Sequence, residues 1–172
     1  MAKSKFGLGK IFLAVAALLG VVAIIMMFAP HISAADGDLT YSGMQVTFGY
    51  TKTTEVLGSK ISTKILNFSF LNLLAYILVL AGVVFVVLAM LGKLGRLASF
   101  VAMAAFVVGG VLFFLVLNMT APNVGEATGD VADALIKAFK DPFSLGIGAI
   151  LAGVASILAG VSTALATFLF KK

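Results

Sequence analysis

Cysteine and tryptophan are absent from this 172-residue chain, histidine occurs once and proline three times. Without cysteine there is no disulfide framework, thiolate zinc site, haem attachment or thiol nucleophile. One histidine cannot build a His-rich metal site. Charge is also scarce. Only 11% of residues are Asp, Glu, Lys or Arg, against about a quarter in soluble domains. No Gly-x-Ser-x-Gly elbow or phosphate loop occurs. A nucleophile needs a base within reach, and no such pair is visible. The expectation is therefore a protein with no catalytic residue, cofactor or metal.

What fills the chain instead is apolar: 62% of residues are hydrophobic, and the mean hydropathy is +1.18. A chain this short has too much surface for its volume to hide that much apolar area from water. Lipid has to solvate much of it. Crossing a bilayer takes about 20 residues at about 1.5 Å each. Four stretches are long enough: 11–29, 70–91, 97–117 and 143–170. None carries Asp, Glu, Lys, Arg or His.

The charges sort by segment. Lys3, Lys5 and Lys10 precede the first stretch, Lys93 and Arg96 separate the second from the third, and Lys171 and Lys172 follow the fourth. All seven acids fall in the other two connections: Asp36, Asp38, Glu55, Glu126, Asp130, Asp133 and Asp141. The positive-inside rule then places both termini in the cytoplasm and residues 31–69 and 118–142 outside the cell membrane. Basic residues scattered in this way do not make a nucleic-acid surface. The basic start, apolar run and Ile32-Ser33-Ala34 also resemble a secretory signal, but the apolar run exceeds the usual h-region, which favours a retained span.

The pattern predicts an all-α membrane protein, one domain over residues 1–172: a four-transmembrane-helix bundle with a small extracellular antiparallel β-sheet in the first outer loop. Gly92-Lys93-Leu94-Gly95-Arg96 is short enough to make spans two and three an antiparallel hairpin, with Gly92 ending one helix and Gly95 helping the turn. Asp141-Pro142 is expected to open the fourth span as N-cap and first helical residue. In the first outer loop Met44, Val46, Phe48 and Tyr50 alternate with Gln45, Thr47 and Gly49, and Ile61, Thr63 and Ile65 alternate with Ser62 and Lys64. Period-two alternation reads as strands, turned at Gly58-Ser59 and numbering two to four. The Val46/Phe48 face should rest on the helix ends. In the second loop Val131, Ala132, Leu135, Ile136 and Phe139 share one helical face, which suits a short amphipathic helix on the membrane surface or the sheet.

On the fourth span Gly148, Ala152, Ser156, Gly160 and Ala164 recur every four residues, a smooth face for close backbone approach. Packing within the bundle is favoured over contact with a second copy. Ala16 and Gly20 form a shorter face of the same kind, expected to meet it. Ser156, Ser162, Thr163 and Thr167 could line a polar path, but such hydroxyls more often bond to carbonyls of their own helix. Asn72 is expected to cap or to bond the first loop. Asp36-Gly37-Asp38 lacks the remaining ligands of a calcium loop and reads as a solvated turn. His31, beside Pro30, reads as an interfacial residue. Asn67-Phe68-Ser69 and Asn118-Met119-Thr120 match glycosylation acceptors close to the membrane.

Four spans, both ends inside, a strand-patterned first outer loop containing Gly43-Met44-Gln45-Val46-Thr47-Phe48-Gly49 and a shorter second loop resemble the claudin and PMP22-like tetraspan group. The resemblance is one of layout across the whole chain. Claudins carry a Trp and a cysteine pair in the first outer loop, and this chain has neither residue. The Lys-rich composition also looks like that of small bacterial membrane proteins. The resemblance implies adhesion, barrier or scaffolding roles. The leading functional expectation is a non-enzymatic structural or interaction protein whose outer loop contacts a partner through Tyr41, Phe48, Tyr50 and Lys52. Its partners would be membrane lipids and a second copy or another membrane protein. The alternative is an accessory subunit or a small oligomeric channel or transporter. Membrane lysis of the holin kind would not need two sizeable outer loops.

Overall fold

The computed structural model describes residues 7–56 and 58–169. Lys3, Lys5, Lys171, Lys172 and the last residue of the expected fourth span, Phe170, lie outside them.

Four helices are long and apolar enough to cross a membrane. They are α1 (Leu8–Ile25, continued by a 3-10 turn to Phe28), α3 (Phe70–Met90), α4 (Gly95–Phe114) and α7 (Ile147–Phe168). The other elements are β1 (Pro30–Ala34), β2 (Thr40–Ser42), α2 (Gly43–Phe48), β3 (Tyr50–Val56), β4 (Ser59–Leu66), α5 (Val116–Met119), α6 (Gly129–Lys140) and β5 (Phe143–Leu145). The long helices pack in cyclic order α1, α3, α4, α7, so each lies against its chain neighbours and α7 closes on α1.

Phe106 is the centre of the bundle, and its ring is accommodated by missing side chains. A Cβ on Gly20 would lie 2.7 Å from the ring, and one on Gly82 2.8 Å from it. Gly20 thus faces Phe106 and Val83, not the glycine stripe of α7. On that stripe Gly148, Ala152, Ser156 and Gly160 are buried and Ala164 is half-buried. Ser156 Oγ donates to the carbonyl of Phe106 at 2.7 Å, a bond between helices rather than within one. Thr163 and Thr167 bond their own helix, at Ala159 O (2.8 Å) and Thr163 O (2.7 Å).

The α3–α4 turn departs from expectation by one residue. Gly92 takes φ 74° as anticipated, but the second left-handed position is Leu94, at φ 59°, and Gly95 already begins α4. The amide of Lys93 reaches back to Leu88 O at 2.9 Å and closes the end of α3.

Both long connections meet at one end of the bundle and form a head. β1 is the middle strand of an antiparallel sheet ordered β2-β1-β5, so residues from the second loop complete a sheet begun in the first. This overturns the expected start of the fourth span. Phe143–Leu145 extends to pair with Ile32–Ala34, Asp141 ends α6 instead of capping α7, and Gly146 holds the N-cap. β3 and β4 form a separate two-stranded hairpin, turned at Gly58 as expected.

The strand expected at Met44–Tyr50 is also overturned, because its first five residues are helical. Ser42 and Gln45 make a reciprocal capping box: Gln45 N donates to Ser42 Oγ at 3.3 Å, and Ser42 N donates to Gln45 Oε1 at 2.9 Å. Val46 and Thr47, adjacent in sequence, are both buried, which the alternating faces of a strand forbid. Asn72 Nδ2 donates to Val46 O at 3.0 Å and ties this helix to α3. Ser69 caps α3 by accepting from Asn72 N, and its hydroxyl donates to Met119 O at 2.7 Å.

Candidate binding site in the head

The head carries a cavity of about 300 Å³. β2 supplies Thr40 and Tyr41, with Leu39 just before it; β3 supplies Tyr50 and Lys52, and β4 supplies Ile65. Gln45 completes the wall, held by its capping bond through Oε1, which leaves the two Nε2 hydrogens for other partners. Three of the four expected contact residues therefore meet. The fourth, Phe48, does not: it is 49% exposed and lies beside Phe68, ring centroids 6.4 Å apart.

Tyr41 is the fixed point of this wall. It is only 8% exposed, not the surface residue the sequence suggested. Its ring meets Tyr50 edge-on at 5.7 Å and is backed by Phe139 at 6.3 Å and Phe143 at 5.6 Å, and the latter two stack at 5.0 Å. Burial, and after it the neighbouring Tyr50 phenol, pushes the Tyr41 phenol above its ordinary range. Phe139 is the point where α6 docks. The rest of α6 is not buried, and Val131 and Leu135 on its apolar face are exposed.

No carboxylate lines the cavity. Asp36 is committed to the β1–β2 turn, where its Oδ1 accepts from Asp38 N at 3.3 Å across Gly37 at φ 77°. Glu55 sits opposite Lys60 in the hairpin and, three residues from Lys52, points to the other face. The polar lining thus offers donors: the Lys52 ammonium, the Gln45 amide and the Thr40 and Tyr50 hydroxyls. Among the described residues no group of three His, Asp or Glu side chains converges on a metal position.

His31 corrects the reading of an interfacial residue. It is 0% exposed, wedged where the head meets the bundle. Nδ1 lies 3.1 Å from Ala29 O and Nε2 lies 2.7 Å from Tyr76 Oη. A carbonyl only accepts, so Nδ1 carries the hydrogen, and in the neutral ring Nε2 accepts from the Tyr76 hydroxyl. Phe113 packs edge-on at 6.0 Å. Two glycines make the room: a Cβ on Gly148 would lie 2.9 Å from Nδ1, and one on Gly43 would lie 2.8 Å from Cε1 and collide with Tyr76 Oη. Burial pushes the imidazole below its ordinary 6.5, and the bond to Ala29 opposes this more weakly. With no nucleophile or carboxylate hydrogen-bonded to it, the His31–Tyr76 pair is a structural pin. Nothing in the spacing of residues 31 and 76 signalled it.

No family model, curated protein or solved structure matches this chain.

Proposed function

We propose that this chain is a non-enzymatic, multi-pass protein of the cell membrane, with both termini cytoplasmic, that displays the head outside as a recognition surface. The observation that carries the reading is the convergence of Tyr41, Tyr50 and Lys52 on one concavity. The bundle beneath is suited to an anchor. It has no ionisable residue along its spans beyond Lys10 and Arg96 near helix ends, and intramembrane ionisable groups are what ion and proton paths usually show. The hydroxyls that suggested transport are also engaged, since Ser156, Thr163 and Thr167 each donate to a backbone carbonyl. A second copy or another membrane protein is the partner class, and adhesion or scaffolding of the kind the claudin-like layout implies is the role.

A photo-crosslinker in place of Tyr50, activated in intact membranes, should trap that partner; a chain that stays uncrosslinked in its native membrane would refute the reading. An impermeant amine reagent should label Lys52 and spare Lys93 in sealed cells. The opposite result would invert the placement.

A further inference from the structure

We infer that the head cavity is a binding site for an amphiphilic organic anion: one negatively charged oxygen group joined to a compact apolar body. This rests on the recognition role proposed above and gives it a ligand chemistry.

Polarity comes first. Every side chain in the lining able to bear charge at neutral pH is cationic, and there is one of them, Lys52. It has no ion-pair partner among the described residues: Glu55 lies on the opposite face of β3 and faces Lys60. Gln45 adds an amide whose acceptor oxygen is occupied by Ser42 N and whose donors are free. A fixed donor amide beside an unpaired ammonium suits a carboxylate or phosphate oxygen, which accepts from both. A cationic ligand would find no counter-charge there.

The remaining wall is apolar. Leu39, Ile65 and the rings of Tyr41 and Tyr50 provide it, and Phe139 and Phe143 hold the Tyr41 ring from behind. Such a wall is largely pre-formed, because both tyrosines are placed by strand pairing and by their mutual edge contact. Preorganisation reduces the ordering penalty on binding. The volume, about 300 Å³, is at the small end of ligand sites, which run about 300–1,000 Å³. It admits a single ring or a short branched chain with its headgroup. A free metabolite, the carboxyl end of a peptide and a lipid headgroup all share this chemistry.

The test uses the full chain in nanodiscs of zwitterionic lipid, with 3-cyclohexylpropionate as probe and its uncharged amide as control. Tyrosine emission reads occupancy directly, since the protein has three tyrosines and no tryptophan, and two of the three line the site. The expected result is a saturable change at about millimolar probe or below, at least about tenfold weaker for the amide. Lys52→Gln should weaken the acid about tenfold and leave the amide unchanged. Lys60→Gln, a cation of the same hairpin outside the site, should leave both unchanged. Thermal unfolding checks that each variant keeps its fold.

Equal titration by acid and amide, a non-saturating response, or wild-type affinity in Lys52→Gln would overturn the assignment. Competition by phosphatidylglycerol in the disc would support it with a lipid headgroup as source, and undiminished probe binding in such discs would support it with a soluble or peptide anion. If the Tyr50 crosslinker traps a partner while the carboxylate fails to bind, the recognition role stands and only the anion assignment falls.

Discussion

The bundle and the head solve the same problem, holding backbone close to backbone, by opposite means. In the bundle the work is done by what is missing: Gly20 and Gly82 leave space for Phe106, and Gly153 leaves space for Phe114. Dispersion between close surfaces is the main attraction available in lipid, where hydrophobic burial between helices adds little. The head relies on directed polar bonds: the Ser42–Gln45 box, Asn72 to Val46 O, Ser69 to Met119 O, and the His31–Tyr76 pin. Packing in the bundle should therefore tolerate loss of a hydroxyl and not of a ring, and the head the reverse.

Substitutions can break that contrast. The largest effect belongs to the bundle: Phe106→Ala should cost about 3–5 kcal/mol, by transfer and cavity contributions together, read from denaturant titration followed by helical circular dichroism. Next is the junction. Tyr76→Phe removes the hydroxyl that satisfies His31 Nε2 and should cost about 1–3 kcal/mol, the range for an orphaned buried acceptor. A loss near zero there would remove the polar pin from the account.

The same junction should make stability depend on pH. Folding holds His31 below its ordinary 6.5. As pH falls through about 6.5 the unfolded chain gains a proton that the folded one resists. The contribution is complete above that window and is lost as pH drops toward the folded-state value, so stability should fall on acidification. His31→Gln should flatten this dependence between about pH 7.5 and 5.5. An unchanged slope in that variant would assign the effect elsewhere.

Smaller effects sharpen the contrast. Ser42→Ala deletes one side of the capping box and should cost about 1 kcal/mol, measured as above. Ser156→Ala deletes an interhelical bond in the bundle and should cost only about 0.6 kcal/mol, the average for such bonds in membrane proteins. If Ser156→Ala proved the costlier of the two, the division of labour between the regions would be wrong.

The bundle was legible in the sequence for a physical reason. Length without charge is a one-dimensional property, and the four long helices depend on little else. The β3–β4 hairpin was legible too, because Gly58 and the alternation at Ile61–Ile65 are local signals. Met44–Phe48 misled, since alternation of apolar and polar residues over so few positions fits either element, and the Ser42–Gln45 spacing was the stronger local signal. Phe143–Leu145 was hidden by its own apolarity: it continues the hydropathy of α7 without a break, and only β1, distant in sequence, draws it into a strand. The cavity was legible in part. Tyr41, Tyr50 and Lys52 stood out as residues, but Gln45, Leu39 and Ile65 join them only through tertiary placement. His31 was opaque because its environment is assembled from four separate elements.

The hydroxyl of Ser144 reaches the carbonyl of Ser33 across 111 positions of sequence. A growing polypeptide therefore releases the central strand of its sheet long before the third strand exists, and that strand is made immediately ahead of the last helix. Head assembly must wait for nearly complete synthesis, and nascent chains arrested before residue 143 would carry an unfinished edge. A finished sheet thus certifies that the chain has been translated almost to its end.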